Sequence, residues 1–198
     1  MTPLRPDTLT ATPAGQPGTV SLVGAGPGDP ELLTVQAIKA IRRATVLLVD
    51  SLVGDGVLRY ARRSARVIHV GKRGGCASTP QAFIHKLMVA EALRGETVVR
   101  LKGGDPFIFG RGGEEAEHLR DAGIDVRVVN GISSGLAATT ALGVPWTHRR
   151  HAHGVMLVTG HPGESSTTLD WPTLAAAAAQ GLTLVIYMGV QRLEQIRS

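Results

Sequence analysis

Short runs of apolar, often β-branched residues alternate along this chain with longer stretches in which apolar residues recur every three or four positions. The short runs have the length and composition of buried strands. They predict strands at residues 19–23, 45–49, 66–70, 97–101, 126–129, 154–159 and 182–187. Because strands that alternate with helices pack in layers around a mostly parallel sheet, the order of the elements predicts an α/β fold.

Polar residues followed by proline mark the starts of two predicted helices. Asp29 precedes Pro30, and Ser78 or Thr79 precedes Pro80. The first helix is expected to have an apolar face formed by Leu32, Leu33, Ile38 and Ile41. The second is expected to have an apolar side formed by Phe83, Ile84, Leu87 and Met88. Further helices are predicted at about residues 113–122, 174–180 and 190–196.

The predicted elements fall into two groups of unequal size. Five strands lie within residues 19–130, which predicts an N-terminal five-stranded α/β domain, and two lie within residues 131–198. Since a two-stranded sheet is rarely stable by itself, we expect the second group to be a linker and a smaller, truncated C-terminal α/β domain. Residues 1–18, which contain several Pro and Thr, predict a mobile leader.

The charge balance narrows the choice of partners. Lys and Arg number 21 against 16 Asp and Glu among 198 residues, a formal charge of +5. Such a charge favours polyanionic partners: nucleic acid, an acidic membrane, or a small substrate rich in carboxylates or phosphates. Aromatic residues make up only 4% of the chain, which disfavours a platform for single-stranded nucleic acid.

Cysteine content and hydropathy bear on the compartment. Cys76 is the single cysteine, so the chain cannot form an internal disulfide, which fits a reducing compartment. No apolar stretch approaches the roughly 20 residues that a membrane-spanning helix requires. Residues 1–18 lack the apolar segment of a secretory signal. We therefore expect a cytoplasmic protein without a membrane partner.

The segment GAGPGDP, residues 24–30, joins a predicted strand to a predicted helix. Its glycines permit positive φ and close approach of a ligand, and its position invites comparison with a dinucleotide-binding loop. The G-x-G-x-x-G spacing, however, requires glycine where the chain has Asp29, and no Gly-Lys-Ser/Thr follows for a phosphate-binding loop. The motif alone leaves open a ligand-binding loop and a plain strand-to-helix turn.

The segment VRLKGGDPFIFGRGGEE, residues 99–115, is more typical of a ligand-binding loop. Gly103 and Gly104 would let a ligand lie against backbone N–H and C=O groups. Asp105 could accept hydrogen bonds from a ribose or an amino group, or cap the turn. Ile108, with Phe on either side, would form the wall of a site for an apolar base.

Charged side chains at two strand ends are candidates for acid–base chemistry. Asp50 follows the second predicted strand and Lys72 the third, although either alone is more typical of a solvent-facing charge. Ligands of α/β sheets bind at the carboxyl ends of strands, where both glycine-rich segments also emerge. That convergence favours Asp50 and Lys72 as an acid and a base. Glu114 and Glu115 are expected near a helix N-terminus, where negative charge is favoured.

The basic segment THRRHAH, residues 147–153, contains three histidines but no nearby Cys or carboxylate. That composition is more typical of a surface loop than of a metal site, so we expect no metal. Arg149 and Arg150 suit an anion-binding role, because guanidinium groups pair bidentately with carboxylates.

Taken together, these segments resemble the tetrapyrrole methylases, and within them the branch that methylates uroporphyrinogen III. The resemblance is carried by VSLVGAGPGDPELLT, VGKRGG, STPQAFI, VVRLKGGDPFIFGRGGEEAEHLRDAGI, ALGVPWTHR, VTGH and IYMGV, in the family's order over about residues 19–191. The string KGGDPFIFGRGGEE is especially specific, because the precorrin-4 methylases and the ribosomal RNA ribose methylases differ there.

The resemblance implies a two-domain α/β fold, with S-adenosyl-L-methionine as methyl donor in the cleft between the domains, and a homodimer. It implies C-methylation of uroporphyrinogen III at C2 and C7 to give precorrin-2 for sirohaem and cobalamin synthesis, with no nucleic-acid partner. A sulfonium methyl carbon is already electrophilic, so such an enzyme needs positioning more than a metal or a covalent nucleophile. The acetate and propionate arms of the substrate would also explain the surplus of arginine.

The resemblance also implies roles for individual residues. Asp50 and Lys72 match the family's proposed proton acceptor and donor. The positions that match its contacts to S-adenosyl-L-methionine are Pro27, Gly103, Gly104, Asp105, Ile108, Ser133, Ser134 and Met188.

Some positions depart from the family pattern. The usual VYDRLV is LVDSLV here, and the usual PGITAA is NGISSG, so Ser133 and Ser134 replace a Thr-Ala pair that contacts the cofactor. The family also continues for several strands beyond residue 198. Three alternatives stay open: a methylase of the same fold that acts on another tetrapyrrole or on RNA, a truncated remnant that binds S-adenosyl-L-methionine without turnover, and a nicotinamide oxidoreductase, which the glycine spacing disfavours.

Overall fold

The structure is a computed structural model that describes residues 17–71, 79–161 and 169–197. These residues separate into two compact units, with the boundary between Gly131 and Ile132. Residues 1–16 of the predicted leader lie outside the described part of the chain. Within that part, none of the helices has the length and apolar character needed to cross a membrane.

The first unit is built on a sheet of five strands. They are β1 (Val20–Gly24), β2 (Val46–Val49), β3 (Arg66–His69), β4 (Val98–Lys102) and β5 (Val126–Val129). Their order across the sheet is β3-β2-β4-β1-β5, and every neighbouring pair is parallel. The carboxyl ends of all five strands therefore lie at one edge of the sheet. This arrangement confirms the predicted α/β fold class.

Helices cover both faces of this sheet. They are α1 (Val35–Arg43), α2 (Gln81–Leu93) and α3 (Gly112–Asp121). Side chains alternate between the two faces along a strand. Leu47 and Val49 of β2 accordingly join the apolar core under α1, whereas Val46 and Leu48 join the core under α2 and α3. The sheet is thus the middle layer of three.

The start predicted for the first helix is wrong. Asp29 caps only a short 3₁₀ turn, Pro30–Leu32, by accepting a backbone N–H at 2.8 Å, and the chain is extended at Leu33. Thr34 then caps α1, its hydroxyl accepting a second backbone N–H at 3.1 Å. Because two capping residues follow each other closely, the predicted helix is split into a turn and a later helix.

The apolar side predicted for the second helix is correct except at one residue. Ile84 and Met88 are buried in α2, and Leu87 packs against the same core. Phe83, in contrast, is 55% exposed. The buried stripe of α2 continues from Met88 to Ala92, and Phe83 lies beside that stripe rather than on it.

The second unit is smaller. It contains the parallel strands β6 (Gly154–Thr159) and β7 (Leu182–Tyr187), and the helices α4 (Ser134–Ala141), α5 (Trp171–Ala179) and α6 (Leu193–Arg197). Helix α5 packs on β7. The residues of β6 and β7 are only half-buried, whereas those of β2 and β4 in the first unit are fully buried.

Candidate functional site

Backbone contacts bring together the loops that follow β1, β4 and β5 at the carboxyl edge of the first unit. Gly26 and Gly104 exchange two backbone hydrogen bonds, with N–O distances of 3.2 and 2.7 Å. A Cβ at Gly131 would overlap the carbonyl oxygen of Gly104, and one at Gly24 would stand 2.5 Å from the nitrogen of Gly131. Since side chains do not fit at these contacts, backbone groups themselves form this part of the edge.

Pro27, a predicted cofactor contact, lies in the tight turn after β1. The glycines on either side of it are both left-handed, with φ of 69° at Gly26 and 119° at Gly28. L side chains rarely adopt these conformations, so the turn depends on both glycines. Gly26, directly before Pro27, bonds to Gly104, so the turn is tied to the loop that carries Gly103 and Gly104, two further predicted contacts.

Asp105 is buried, and its carboxylate ties two of these loops together. Its Oδ1 accepts a hydrogen bond from the backbone N–H of Phe107 at 2.8 Å. Its Oδ2 accepts one from Asn130 Nδ2 at 3.1 Å and one from the backbone N–H of Gly131 at 3.0 Å. Asp105 therefore caps its own turn and fixes it to the end of β5. A contact from Asp105 to a ribose or an amino group stays a prediction.

Strained backbone marks the loop that carries Ile108. Ile108 is half-buried, and Phe107 and Phe109 beside it are 54% and 41% exposed. Phe109 and Arg111 have φ of 49° and 57°, a left-handed conformation that few non-glycine residues adopt. Such strain is concentrated at binding and catalytic sites. The loop therefore exposes two aromatic side chains, and its backbone is in a conformation that is unfavourable for non-glycine residues.

Asp50 lies at the carboxyl end of β2, where its side chain is 30% exposed. Its Oδ1 accepts a hydrogen bond from the backbone N–H of Ser51 at 2.9 Å, and its Oδ2 accepts one from Arg100 Nη2 at 3.3 Å. The carboxylate is thus oriented by the protein and still open to solvent. Lys72, the predicted partner of Asp50, lies outside the described residues.

A buried polar cluster next to Asp50 was not foreseen from the sequence. Oε1 of Glu115 accepts hydrogen bonds from Lys102 Nζ at 3.0 Å, Arg100 Nε at 3.2 Å and Gln81 Nε2 at 2.9 Å. The exposed fractions of Glu115, Arg100 and Lys102 are 0%, 2% and 3%. Burial lowers the pKa of Lys102, and the neighbouring charge of Arg100 lowers this pKa further.

The sequence did contain a signal for this cluster. Buried strands of parallel sheets are normally apolar throughout, but β4 has Arg100 and Lys102 at alternate positions, which share one face. Two cations on one buried face require an anion from the helix that covers it. Glu115 is in the first turn of α3, as predicted, but it faces the core rather than solvent.

The predicted site residues of the second unit lie at the carboxyl end of β7 and the start of α4. The hydroxyls of Ser133 and Tyr187 form a hydrogen bond of 2.7 Å. Met188 follows Tyr187 directly and is 55% exposed, with φ of 54°. Ser134, the first residue of α4, is exposed. These side chains could present a hydroxyl and a thioether to a ligand.

The THRRHAH segment adds exposed cations to the second unit. Arg149 and Arg150 are exposed beside the stacked rings of His148 and His151, whose centroids are 4.7 Å apart. Among the described residues, no group of three or more His, Cys, Asp or Glu could hold a metal ion. An anion-binding role for the two arginines stays a prediction.

Comparison with known proteins identifies the family to which the chain is similar. Residues 19–198 match the family model of the Tetrapyrrole (Corrin/Porphyrin) Methylases. The chain belongs to this family. The matched range contains every described segment of both units from Thr19 onward and all the predicted site residues, including Lys72 outside the described segments. Membership in this methylase family also removes the nicotinamide oxidoreductase alternative.

Individual members of the family show high similarity. A uroporphyrinogen-III C-methyltransferase of Pseudomonas aeruginosa is 56% identical over 91% of this chain and 72% of its own length. A siroheme synthase of Xylella fastidiosa is 50% identical over 96% of this chain, which spans only 39% of that protein. The crystal structure of uroporphyrin-III C-methyl transferase from Thermus thermophilus, complexed with S-adenyl homocysteine, is 43% identical with a TM-score of 0.71, covering 88% of this chain and 72% of that one.

Proposed function

We propose that this chain is a methyltransferase that transfers methyl groups from S-adenosyl-L-methionine to C2 and C7 of uroporphyrinogen III. The product would be precorrin-2, which leads to sirohaem or cobalamin. The observation that carries this proposal is the 56% identity with a uroporphyrinogen-III C-methyltransferase over 91% of the chain. The carboxyl edge of the first unit supports the proposal, because close glycine backbone contacts bring the loops after β1, β4 and β5 together where parallel α/β sheets bind their ligands.

The residues that we propose as contacts to S-adenosyl-L-methionine suit its chemistry. In the first unit they are Pro27, Gly103, Gly104, Asp105 and Ile108, and in the second they are Ser133, Ser134 and Met188. Glycine has no side chain, so a ligand can approach its backbone closely. Ile108 offers apolar surface to the adenine base. When bound, the sulfonium supplies an electrophilic methyl carbon. No metal is needed for that transfer, and we propose none.

The chain's own residues supply positioning and proton transfer. Asp50 would accept a proton; its hydrogen bonds with Arg100 and Ser51 and its partial exposure support this role. Lys72, whose sequence position matches the family's donor, would supply a proton or stabilise negative charge. Arg149 and Arg150 are exposed and suit the acetate and propionate arms of the substrate.

We also propose a second copy of the chain as its partner and the cytoplasm as its compartment. The family resemblance supports the homodimer, and the single cysteine supports a reducing compartment. Light scattering on the purified chain tests the homodimer: a mass of two chains is expected. A monomer that is active at the concentration of the measurement would contradict it.

Two substitutions test the proposed roles directly. Asp50→Asn and Lys72→Ala are each expected to lower the rate of methyl transfer to uroporphyrinogen III about 100-fold or more, because general acid–base groups contribute at that scale. The control is Asp55→Asn, which alters an exposed acid on the neighbouring 3₁₀ turn and should retain the parent rate within about twofold. If both variants turn over like the parent, the two assignments are wrong. If the folded parent transfers no methyl group, the proposed activity is wrong.

A further inference from the structure

Glu115 has no part in the chemistry proposed above, yet its side chain is completely buried and charged groups surround it. We propose that Glu115 is a positioning residue that acts through Arg100 to fix the place and the charge state of the Asp50 carboxylate. The inference rests on the proposed role of Asp50, and it adds a residue that controls the position and the charge of the Asp50 carboxylate.

Arg100 connects the two carboxylates. Its Nη2 donates to Asp50 Oδ2 at 3.3 Å, and its Nε donates to Glu115 Oε1 at 3.2 Å. Its Nη1 donates to the backbone carbonyl of Leu101 at 3.1 Å, so all three guanidinium nitrogens have partners. A guanidinium is planar and rigid, which couples the directions of its hydrogen bonds. A change at Glu115 therefore alters how Arg100 presents its donor to Asp50.

The hydrogen bonds of Glu115 are distributed unevenly. Lys102, Arg100 and Gln81 all donate to Oε1, whereas Oε2 is buried without a hydrogen-bond partner among the described residues. A buried carboxylate oxygen without a partner costs free energy. A cluster selected only for stability would be expected to use both oxygens.

Glu91, a second buried carboxylate of the same unit, has hydrogen-bond partners for both of its oxygens. It is 2% exposed; its Oε1 accepts hydrogen bonds from Arg94 at 2.9 Å and from Arg66 at 3.4 Å, and its Oε2 accepts a second one from Arg66. Arg66 is the first residue of β3, so this cluster lies at the amino edge of the sheet. Glu91 is thus a matched control at the opposite edge from Asp50.

The charges of the Glu115 cluster balance, which links it to the ionisation of Asp50. Arg100 and Lys102 carry positive charge, and Glu115 and Asp50 carry negative charge. While Lys102 keeps its proton, loss of the Glu115 charge leaves one surplus positive charge beside Asp50, which stabilises the ionised carboxylate. Loss of the Lys102 charge has the opposite effect. Other described titratable groups around the cluster are His85 on α2, Arg111, Glu114 and His118 at α3, and His69 at the end of β3.

Three isosteric or nearly isosteric variants separate these effects: Glu115→Gln, Lys102→Met and the control Glu91→Gln. The titration midpoint of the Asp50 carboxyl is measured by ¹³C NMR, with its resonance assigned through Asp50→Asn. We expect the midpoint to fall in Glu115→Gln, which removes a neighbouring negative charge, and to rise in Lys102→Met, which removes a neighbouring positive charge. It should be unchanged in Glu91→Gln, although that variant is less stable.

Kinetics on the same variants provide the second readout. Glu115→Gln should move the acid limb of the pH–rate profile to lower pH and decrease kcat roughly tenfold, with KM for S-adenosyl-L-methionine within about twofold of the parent. Glu115→Asp, which restores the charge, should return the acid limb towards the parent position. An effect on stability alone would lower kcat through loss of folded enzyme but would not move the acid limb, so the position of the limb is the deciding kinetic readout.

The NMR titration and the kinetics distinguish failure of the positioning role from failure of the proposed activity. An Asp50 midpoint that is the same in the parent, Glu115→Gln and Lys102→Met overturns the positioning role, whatever the activity. A parent that transfers no methyl group overturns the proposed activity, and the NMR titration still tests the coupling. If Glu115→Gln does not fold, the opposite shift expected in Lys102→Met decides the matter.

Discussion

The side-chain amide of Asn130 donates a hydrogen bond to Oδ2 of Asp105 across 3.1 Å and so ties the end of β5 to the loop after β4. The backbone N–H of Gly131 donates to the same oxygen at 3.0 Å. A buried carboxylate is stable only with such partners. The loop that carries four of the proposed cofactor contacts, Gly103, Gly104, Asp105 and Ile108, is therefore anchored through one carboxylate.

Substitutions at Asn130 test this anchor. Asn130→Ala removes one donor and is expected to lower the free energy of unfolding by about 1 kcal/mol. Asn130→Asp replaces the donor with a like charge beside Asp105 and should cost about 2 kcal/mol or more at pH 7. The extra loss should shrink as the pH falls, because protonation of either carboxyl removes the repulsion. Urea unfolding at several pH values checks this, and equal losses in both variants at pH 7 would refute it.

The close approach of glycine backbones predicts a contrast between two alanine substitutions. Gly131→Ala places a Cβ against the Gly104 carbonyl oxygen, so the two loops must separate. We expect this variant to lose about 2 kcal/mol or more of stability and to bind S-adenosylhomocysteine more weakly.

Gly113→Ala is the matched control for this contrast. A Cβ at Gly113 meets no atom within 4 Å, and the residue lies inside α3 with no positive φ. Its stability should equal the parent's or exceed it by about 0.5 kcal/mol. Thermal unfolding and calorimetric titration measure both quantities. Equal stability of the two alanine variants would show that the loops are not in close contact.

The lowered pKa of His85 in the folded chain makes the free energy of unfolding depend on pH. Burial lowers the pKa of His85 below its usual 6.5, and the charge of His118, stacked on it at 4.7 Å, lowers it further. Between the folded pKa and 6.5 the unfolded chain binds the proton more readily, so stability falls as the pH decreases through this window. His85→Asn should lose less stability than the parent between pH 7.5 and pH 5.5 in urea unfolding. A loss equal to the parent's would contradict the prediction.

Much of the fold could be predicted because local patterns determine it. Each apolar run that was long enough for a strand became one, as in β2 at Val46–Val49 and β4 at Val98–Lys102. Parallel strands expose their carboxyl ends at one edge, so the convergence of GAGPGD, KGGDP and Asp50 at that edge followed from a parallel sheet without knowledge of the strand order. The predicted start of the first helix at Pro30 was wrong, because Asp29 caps a 3₁₀ turn and Thr34 then caps the helix itself.

The partners of the site's charged residues could not be predicted, because tertiary packing selects them. Glu115 is 15 residues after Arg100, and only the docking of α3 on β4 brings the two within 3.2 Å. Asp105 reaches Asn130 only because β5 joins the sheet next to β1. Helical and strand periodicity report which face a residue occupies, not which residue lies opposite.

Methyl transfer to uroporphyrinogen III is tested by a labelling experiment on the purified chain. The purified chain, shown to be folded by circular dichroism, is incubated with freshly prepared uroporphyrinogen III and S-adenosyl-L-methionine labelled in the methyl group. We expect a tetrapyrrole that carries two labelled methyl groups, at C2 and C7. A folded chain that binds S-adenosyl-L-methionine but leaves the tetrapyrrole unlabelled would contradict it.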